Sequence, residues 1–491
     1  MSGAELQALW PLIIPALAGT AVMLAGAFGA GRRWLHRLAL AGAGLAMLSI
    51  PLARQVAPRN VTPLLRIDSY ALFFLLLLYA VTGVLVVISR PYLAARKKDP
   101  EAFYALLLFA TTGMGVLACA DHLAAFFLGL EILTVALYAL IGYLRQTRAS
   151  LEAALKYLVL AALSSGFLLF GIALIYAASG SLSLRPAVQA VLRLAPQLGR
   201  QPESAWAVAG ALLLLAGFGF KLALVPFHMW SPDVYQGAPV PVTALIATGS
   251  KVAVLAVLLR LAGGASLQSS SFGVALTVIA VVTMFGGNLL ALLQQDLKRL
   301  LAYSSIAHLG YTMVALVAGG RAGAEAVAFY LLVYVLMTLG AFAVVTVLSC
   351  QATSDVDSLQ AYRGLGRRRP WLAGTLTLML LSLAGIPPTA GFLAKFAILN
   401  AALQAGMPRL ALATAVASGL ALFYYLRVIV VLFMQQEATP AAPATATPGP
   451  TLPIATTLAL VGLAATVVAI GLYPGPWLRA ISAAVVGILT A

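Results

Sequence analysis

The sequence predicts an all-α integral membrane protein of about fourteen transmembrane helices, and three observations lead there. The 491 residues are 62% hydrophobic and 9% charged, against roughly half apolar and a quarter charged in a soluble domain. About fourteen apolar runs approach or exceed the roughly 20 residues that a bilayer-spanning helix needs. The formal charge of +16 sits in short loops between those runs, where it reports topology and not nucleic-acid binding.

The runs lie near 8–29, 38–53, 69–89, 102–120, 122–144, 153–178, 205–225, 240–262, 272–293, 300–319, 323–349, 371–405, 410–434 and 452–472. Glu5 and no basic cluster precede the first run, so it reads as an uncleaved helix and not as a signal peptide. With the N-terminus outside, the loops after odd-numbered spans hold sixteen Lys and Arg, among them Arg32, Arg33, Lys97, Lys98, Lys298 and Arg367 to Arg369. The opposite loops hold ten, a bias that places both termini outside. Leu182 to Ala205 is a long mixed connection with the make-up of an interfacial helix. Gln435 to Pro453 is a Pro/Ala/Thr linker before the last span.

Two spans are interrupted by proline. Leu222 to Pro226 (LALVP) and Leu383 to Pro387 (LAGIP) align, with Pro226 opposite Pro387. They fall in the seventh and twelfth spans, an odd number apart, so the two copies face opposite ways across the membrane. Broken helices in inverted repeats mark ion pathways, because freed backbone groups need water, ions or side chains inside the protein. A pair of plain proline kinks is the alternative.

Charges occur inside these runs. Glu131 is ten residues from Asp121, so it lies about 15 Å along its helix. Lys251 is equally deep in ALIATGSKVAVLAVLL, while Lys221 precedes the first break and Lys395 follows the second. Each such charge costs roughly 2.5–3.5 kcal/mol on insertion scales unless paired or hydrated. A carboxylate that moves relative to a buried Lys switches whether the Lys keeps its proton. The competing account is a static Glu131–Lys221 ion pair that only orients helices. Glu152 and Lys156 are four apart, in the order that favours a helix pair, near a helix end. His308 shares one helical stripe with Ser304, Ser305 and Tyr311, which suits a proton relay. His228, beside Pro226, reads equally as a cap on the broken helix.

Other chemistries find no support. Cys119 and Cys350 are too few for an iron–sulfur cluster or structural zinc site and read as small core residues. No Walker A sequence or strand–GxGxxG–helix unit occurs. No His/Asp/Glu cluster has metal-ligand spacing, and no Ser or Cys has a triad context.

The run PFHMWSPDVYQGAPVPVTALIATGSKVAV, with EAALKYLVLAALSSGFLLFGIALIY before it and LLQQDLKRLLAYSSIAHLGYTMVAL and LAGIPPTAGFLAKF after it, resembles the antiporter-like membrane subunits of NADH-quinone oxidoreductase (respiratory complex I). That group also includes Mrp-type cation/proton antiporters, and PDVYQGAP resembles its N type more than the L and M types. The resemblance implies two inverted five-helix repeats, spans 4–8 and 9–13, with spans 7 and 12 broken. The implied division is an N-terminal segment 1–101, repeats at 102–265 and 266–434, and a C-terminal part 435–491. It also implies proton translocation through Glu131, Lys221, Lys251, Lys395, His308, Lys156 and Glu152. No cofactor is then expected in this chain: NADH, FMN, iron–sulfur clusters and quinone belong to partner subunits. The implied neighbours are other complex I subunits, especially M and K, in a bacterial inner membrane. An Mrp-type antiporter, an antiporter-like subunit of a membrane-bound hydrogenase, and a structural spacer are the alternatives.

Overall fold

A computed structural model describes residues 2–263, 270–350, 352, 354–435 and 453–489. The expected 435–453 linker falls almost wholly outside the described residues, as does the expected repeat boundary at 265/266. The chain begins with α1 (Gly3–Ala27) and α2 (Arg32–Arg54), then a small hairpin of β1 (Arg59–Val61) and β2 (Leu65–Ile67). Next come α3 (Ser69–Ala95), α4 (Glu101–Cys119), α5 (Leu123–Ile141), α6 (Arg148–Ser179) and the short α7 (Leu184–Leu194). The first broken span is α8 (Pro202–Leu222) and α9 (Trp230–Gly237), followed by α10 (Val240–Leu245), a π-helical turn (Ile246–Ser250) and α11 (Lys251–Ala262). Then follow α12 (Ser271–Leu292), α13 (Leu297–Ala318), α14 (Gly320–Ser349) and a four-residue α15 (Leu365–Arg368). The second broken span is α16 (Pro370–Ala384) and α17 (Ala390–Gln404), before α18 (Pro408–Phe433), α19 (Ile454–Leu472) and α20 (Gly475–Leu489).

Among the described residues thirteen helical segments are long and apolar enough to cross a bilayer. The pair α16/α17 supplies one more, which gives the fourteen spans read from sequence. The loops expected on each side of the membrane meet one another. Leu65 bridges Ala120 and His122 bridges Ser183 on one side, whereas Asp296 bridges Ser358 on the other. The interfacial helix expected in 182–205 is α7. The β hairpin and α20 were not expected. Arg66 reaches Gly487 O at 3.5 Å and Arg321 reaches Ser482 Oγ at 2.7 Å, which pins α20 to the hairpin side of the bundle.

The centre of the bundle is α13, buried at every residue but Arg299, flanked by α14 and by the segment Val240–Ala262. A helix buried on all faces needs no polar side for solvent. The Ser, His and Tyr side chains of α13 must therefore find partners inside. Small residues let the surrounding helices close: a Cβ on Gly171 of α6 would lie 2.8 Å from Gly210 O of α8.

Both breaks end their first half in the same way. After α8, Ala223 turns left-handed (φ 56) and Leu224 N–H donates to Gly219 O at 2.8 Å. After α16, Gly385 does the same (φ 82) and Ile386 N–H donates to Leu381 O at 3.1 Å. This is the hydrogen-bond pattern of a helix C-cap with a left-handed residue. It pairs Ala223 with Gly385, hence Pro226 with Pro388, one residue off the Pro226–Pro387 alignment expected from sequence. Sequence similarity followed the Leu-Ala pair, whereas the backbone follows the left-handed residue. Since α8 starts from the hairpin side and α16 from the opposite one, the two breaks are entered from opposite faces. Freed groups are met by side chains: Trp230 Nε1 donates to Phe220 O at 2.9 Å, Val225 N–H to Thr283 Oγ1 at 3.1 Å, and Gly391 N–H to Ser382 Oγ at 3.1 Å. Trp230 therefore caps the first break.

The second break leaves no room at Gly391, where a Cβ would meet Ser382 O at 1.7 Å. Gly391→Ala should destabilise the protein by about 1–3 kcal/mol or more, seen as a lower thermal unfolding temperature in detergent. Gly374→Ala, whose Cβ meets nothing within 4 Å, should leave it unchanged.

Candidate functional site

The four deep basic groups expected from sequence are all buried: Lys251 is 0% exposed, His308 1%, Lys395 6% and Lys221 8%. Lys221, in the last turn of α8, donates to Thr134 Oγ1 at 2.6 Å, with the rings of Tyr157 and Phe220 at 5.7 Å. Glu131, one turn before Thr134 on α5, accepts from Ser165 Oγ of α6 at 2.5 Å. The direct Glu131–Lys221 ion pair is therefore not formed. Ser165 holds the carboxylate and Thr134 takes the ammonium, so the two charges interact through space.

Lys251 follows the π-helical turn. It donates to Ser305 Oγ at 2.6 Å and lies 5.5 Å from the Tyr235 ring centre. Ser305 is 2.5 Å from Tyr334 OH. On the same α13 stripe, His308 Nδ1 is 2.6 Å from Tyr330 OH and Nε2 is 3.1 Å from Tyr425 OH. Tyr425 OH is also bonded to Ser304 Oγ. Lys395 turns back across the second break and donates to Ala384 O and Ser418 Oγ, both at 2.9 Å, with the Tyr311 ring at 5.4 Å. Asn288 completes this end: its Nδ2 donates to Tyr311 OH at 2.8 Å and its Oδ1 accepts from Tyr424 OH at 3.0 Å. The rings of Tyr424 and Tyr425 lie 4.3 Å apart. Polar side chains thus run from Lys251 past His308 to Lys395, in one buried axis. Among the described residues, no side-chain hydrogen bond joins the Lys221 cluster to that of Lys251.

Glu152 and Lys156 form the expected pair at 2.8 Å, but at the rim and not within the axis. Lys156 also contacts Asp233 at 2.7 Å, and Asp233 contacts Arg299 at 2.7 Å. These residues and Gln236 line a polar cavity of about 410 Å³. Helix α9 presents Asp233 and Gln236 to that cavity, while its Tyr235 OH comes within 3.4 Å of Ser305 Oγ. A single short helix therefore separates the rim from the Lys251 cluster.

Residues 120–421 match the family described as NADH:quinone oxidoreductase/Mrp antiporter, TM. The chain belongs to that family. This antiporter-family chain is 43% identical over 479 residues to NADH-quinone oxidoreductase subunit N of Chromohalobacter salexigens, covering 97% of this chain and 98% of the relative. It is 44% identical over 439 residues to the subunit of the same name from Ectopseudomonas mendocina, covering 88% and 87%. Its fold is similar to a chain of respiratory complex I from Thermus thermophilus with bound aureothin. There the TM-score is 0.79 at 37% identity, over 96% of this chain and 99% of that one. The Mrp complex from Dietzia sp. DQ12-45-1b gives a TM-score of 0.83 at 20% identity, over 100% and 98%, and shows the shared fold alone.

Sequence reasoning missed several members of the axis. Thr134, Asn288, Tyr330, Tyr334 and Tyr425 are uncharged residues in apolar helices, and nothing in one sequence separates them from ordinary core residues. Arg260, counted among the ten basic residues of the opposite loops, lies in α11, buried and paired with Asp68 through two contacts at 2.9 and 3.0 Å. Among the described residues, no group of three His, Cys, Asp or Glu could hold a metal ion.

On the basic side, Asp355 and Asp357 of the loop after α14 lie 3.1 and 3.3 Å from Nζ of Lys298, in the first turn of α13. Asp355 is also bonded to Arg96. Burial pushes the Asp357 carboxyl up from 3.8 to about 6, with the Lys298 ammonium pulling the other way. The folded chain thus binds this proton more tightly than the unfolded one, and the stability contributed by Asp357 falls as pH rises through that interval. The unfolding temperature of Asp357→Asn in this family member should therefore gain on that of the parent between pH 4 and 6.

Proposed function

We propose that this chain is a proton-translocating membrane-arm subunit of an NADH-quinone oxidoreductase, and that the buried axis carries the protons. The near full-length likeness to two proteins named subunit N supports the assembly. The observation that carries the reading is the succession of buried polar side chains from Lys251 past His308 to Lys395. NADH oxidation and quinone reduction take place in partner subunits, which also hold the FMN, iron–sulfur clusters and quinone. Subunits M and K are the proposed neighbours, and residues 102–265 and 266–434 the two antiporter-like repeats.

Energy reaches the axis as electrostatics. Glu131 is held by Ser165 on α6, while Lys221 is held by Thr134 on α5. A shift of α6 relative to α5 changes the separation of the two charges and so how tightly Lys221 keeps its proton. Charge change at Lys221 is felt by Lys251 through the low-dielectric interior. Lys251, His308 and Lys395 then load and release protons along the axis. Glu152 and Lys156, at the rim of the polar cavity, sit where water supplies or receives them.

Lys221→Ala and Lys395→Ala should each depress NADH-driven proton pumping in membranes far more than they depress the amount of assembled complex. Normal pumping in assembled variants, or equal loss of pumping and assembly, would assign these lysines to holding the arm together.

A further inference from the structure

The shorter branch of the hydroxyl chain that leaves Lys251 ends on a group that cannot take a proton, whereas Tyr235 OH, the other neighbour of Ser305, lies 3.4 Å from it. Lys251 Nζ donates to Ser305 Oγ at 2.6 Å, Ser305 Oγ is 2.5 Å from Tyr334 OH, and Tyr334 OH donates to Ala247 O at 2.9 Å. All three side chains are at most 2% exposed. A hydroxyl has one proton to donate, and a backbone carbonyl only accepts. The Tyr334 proton is committed to Ala247, so the Ser305–Tyr334 contact uses the Ser305 proton. Ser305 is left with lone pairs alone toward Lys251. Moving the Lys251 proton along this line breaks an N–H bond on Lys251 and forms an O–H bond on Ser305. Ser305 must then pass its own proton to Tyr334, and Tyr334 would have to protonate an amide oxygen. The line is closed while Tyr334 rests on Ala247.

Ala247 lies in the π-helical turn Ile246–Ser250 that immediately precedes Lys251. Such turns are local insertions in a helix and are common at functional sites. The Tyr334 ring is also 5.5 Å from the His308 ring, and His308 begins the next bonded group with Tyr330, Tyr425 and Ser304. Tyr334 therefore stands between two hydrogen-bonded groups while anchored to neither lysine.

We propose that Tyr334 is a positioning residue that gates proton transfer out of Lys251: anchored on the Ala247 carbonyl it fixes Ser305 as an acceptor, and released it frees Ser305 to pass a proton on to water beside His308. This rests on the proton-translocating reading above. The gate keeps the Lys251 proton in place until the axis is rearranged, which prevents transfer in the wrong phase of turnover. Tyr334 keeps its own proton throughout and relays none.

The test uses the whole complex in membrane vesicles, with protons moved and quinone reduced per NADH measured together, for Tyr334→Phe, Ser305→Ala and Lys251→Met. Tyr334→Phe deletes the anchor and leaves Ser305 free, so protons moved per NADH should fall while quinone reduction continues, and passive proton leak should rise. Ser305→Ala keeps Tyr334 on Ala247 but removes the hydroxyl that hands the proton on, so pumping and quinone reduction should fall together without added leak. A Tyr334→Phe complex whose two rates fall in parallel, or stay at the parent's ratio, would overturn the gate. If Tyr334→Phe does not assemble, Ser305→Ala decides: a leak there overturns the gate as well. Lys251→Met separates the two claims, since parental rates of both pumping and quinone reduction in that variant would refute the translocating reading and not only the gate.

Discussion

Three ammonium groups lie at bilayer depth inside this bundle, and each has lost most of the water that would stabilise its charge. What replaces the water differs sharply from what stabilises the other buried cations. Arg260 is matched by Asp68, and Lys298 and Arg96 by Asp355. Lys221, Lys251 and Lys395 meet a threonine, a serine, and a serine plus a backbone carbonyl. Among the described residues, no carboxylate lies within ion-pair distance of any of the three. Neutral donors and acceptors stabilise an ammonium and a neutral amine much more evenly than a carboxylate does. The fixed ion pairs therefore hold the ends of the helices, and the unpaired lysines between them are left able to change charge.

The broken helices follow from the same requirement. A continuous helix uses all of its backbone groups internally and offers nothing to a buried cation. Ending α16 at Ala384 frees the carbonyl that accepts from Lys395, and ending α8 just past Lys221 places that side chain at the end of a half helix facing α5. The π-helical turn before Lys251 plays a comparable part, because its Ala247 carbonyl is met by Tyr334. Each lysine is thus accompanied by a local departure from regular helix, and α13, buried at every residue but Arg299, runs between the second and third of them.

Most of the fold was legible in the sequence because lipid leaves only one way to satisfy backbone polarity in a long apolar run. The fourteen spans, both breaks and the interfacial α7 follow from hydropathy and proline placement. Helix α20 was not seen, since its fifteen residues are too short to read as a span. The lysines, Glu131 and His308 stand out in the sequence because a charge or imidazole within an apolar run is costly. Their partners do not: Thr134, Asn288, Tyr334 and Tyr425 become polar-network residues only when helices far apart in the chain are brought together. The same limit explains Glu131 and Lys221. Sequence suggested two opposite charges that should meet, but it could not show that Ser165 and Thr134 intervene.

Unpaired lysines in this axis change protonation state during turnover if the axis carries protons. Infrared difference spectra of the complex carrying isotope-labelled lysine, recorded between the resting and the NADH-driven state, test it most directly. Ammonium bands should change on turnover, and part of that change should disappear from the spectrum of the Lys251→Met complex. Ammonium bands that stay constant while the complex pumps protons would contradict it.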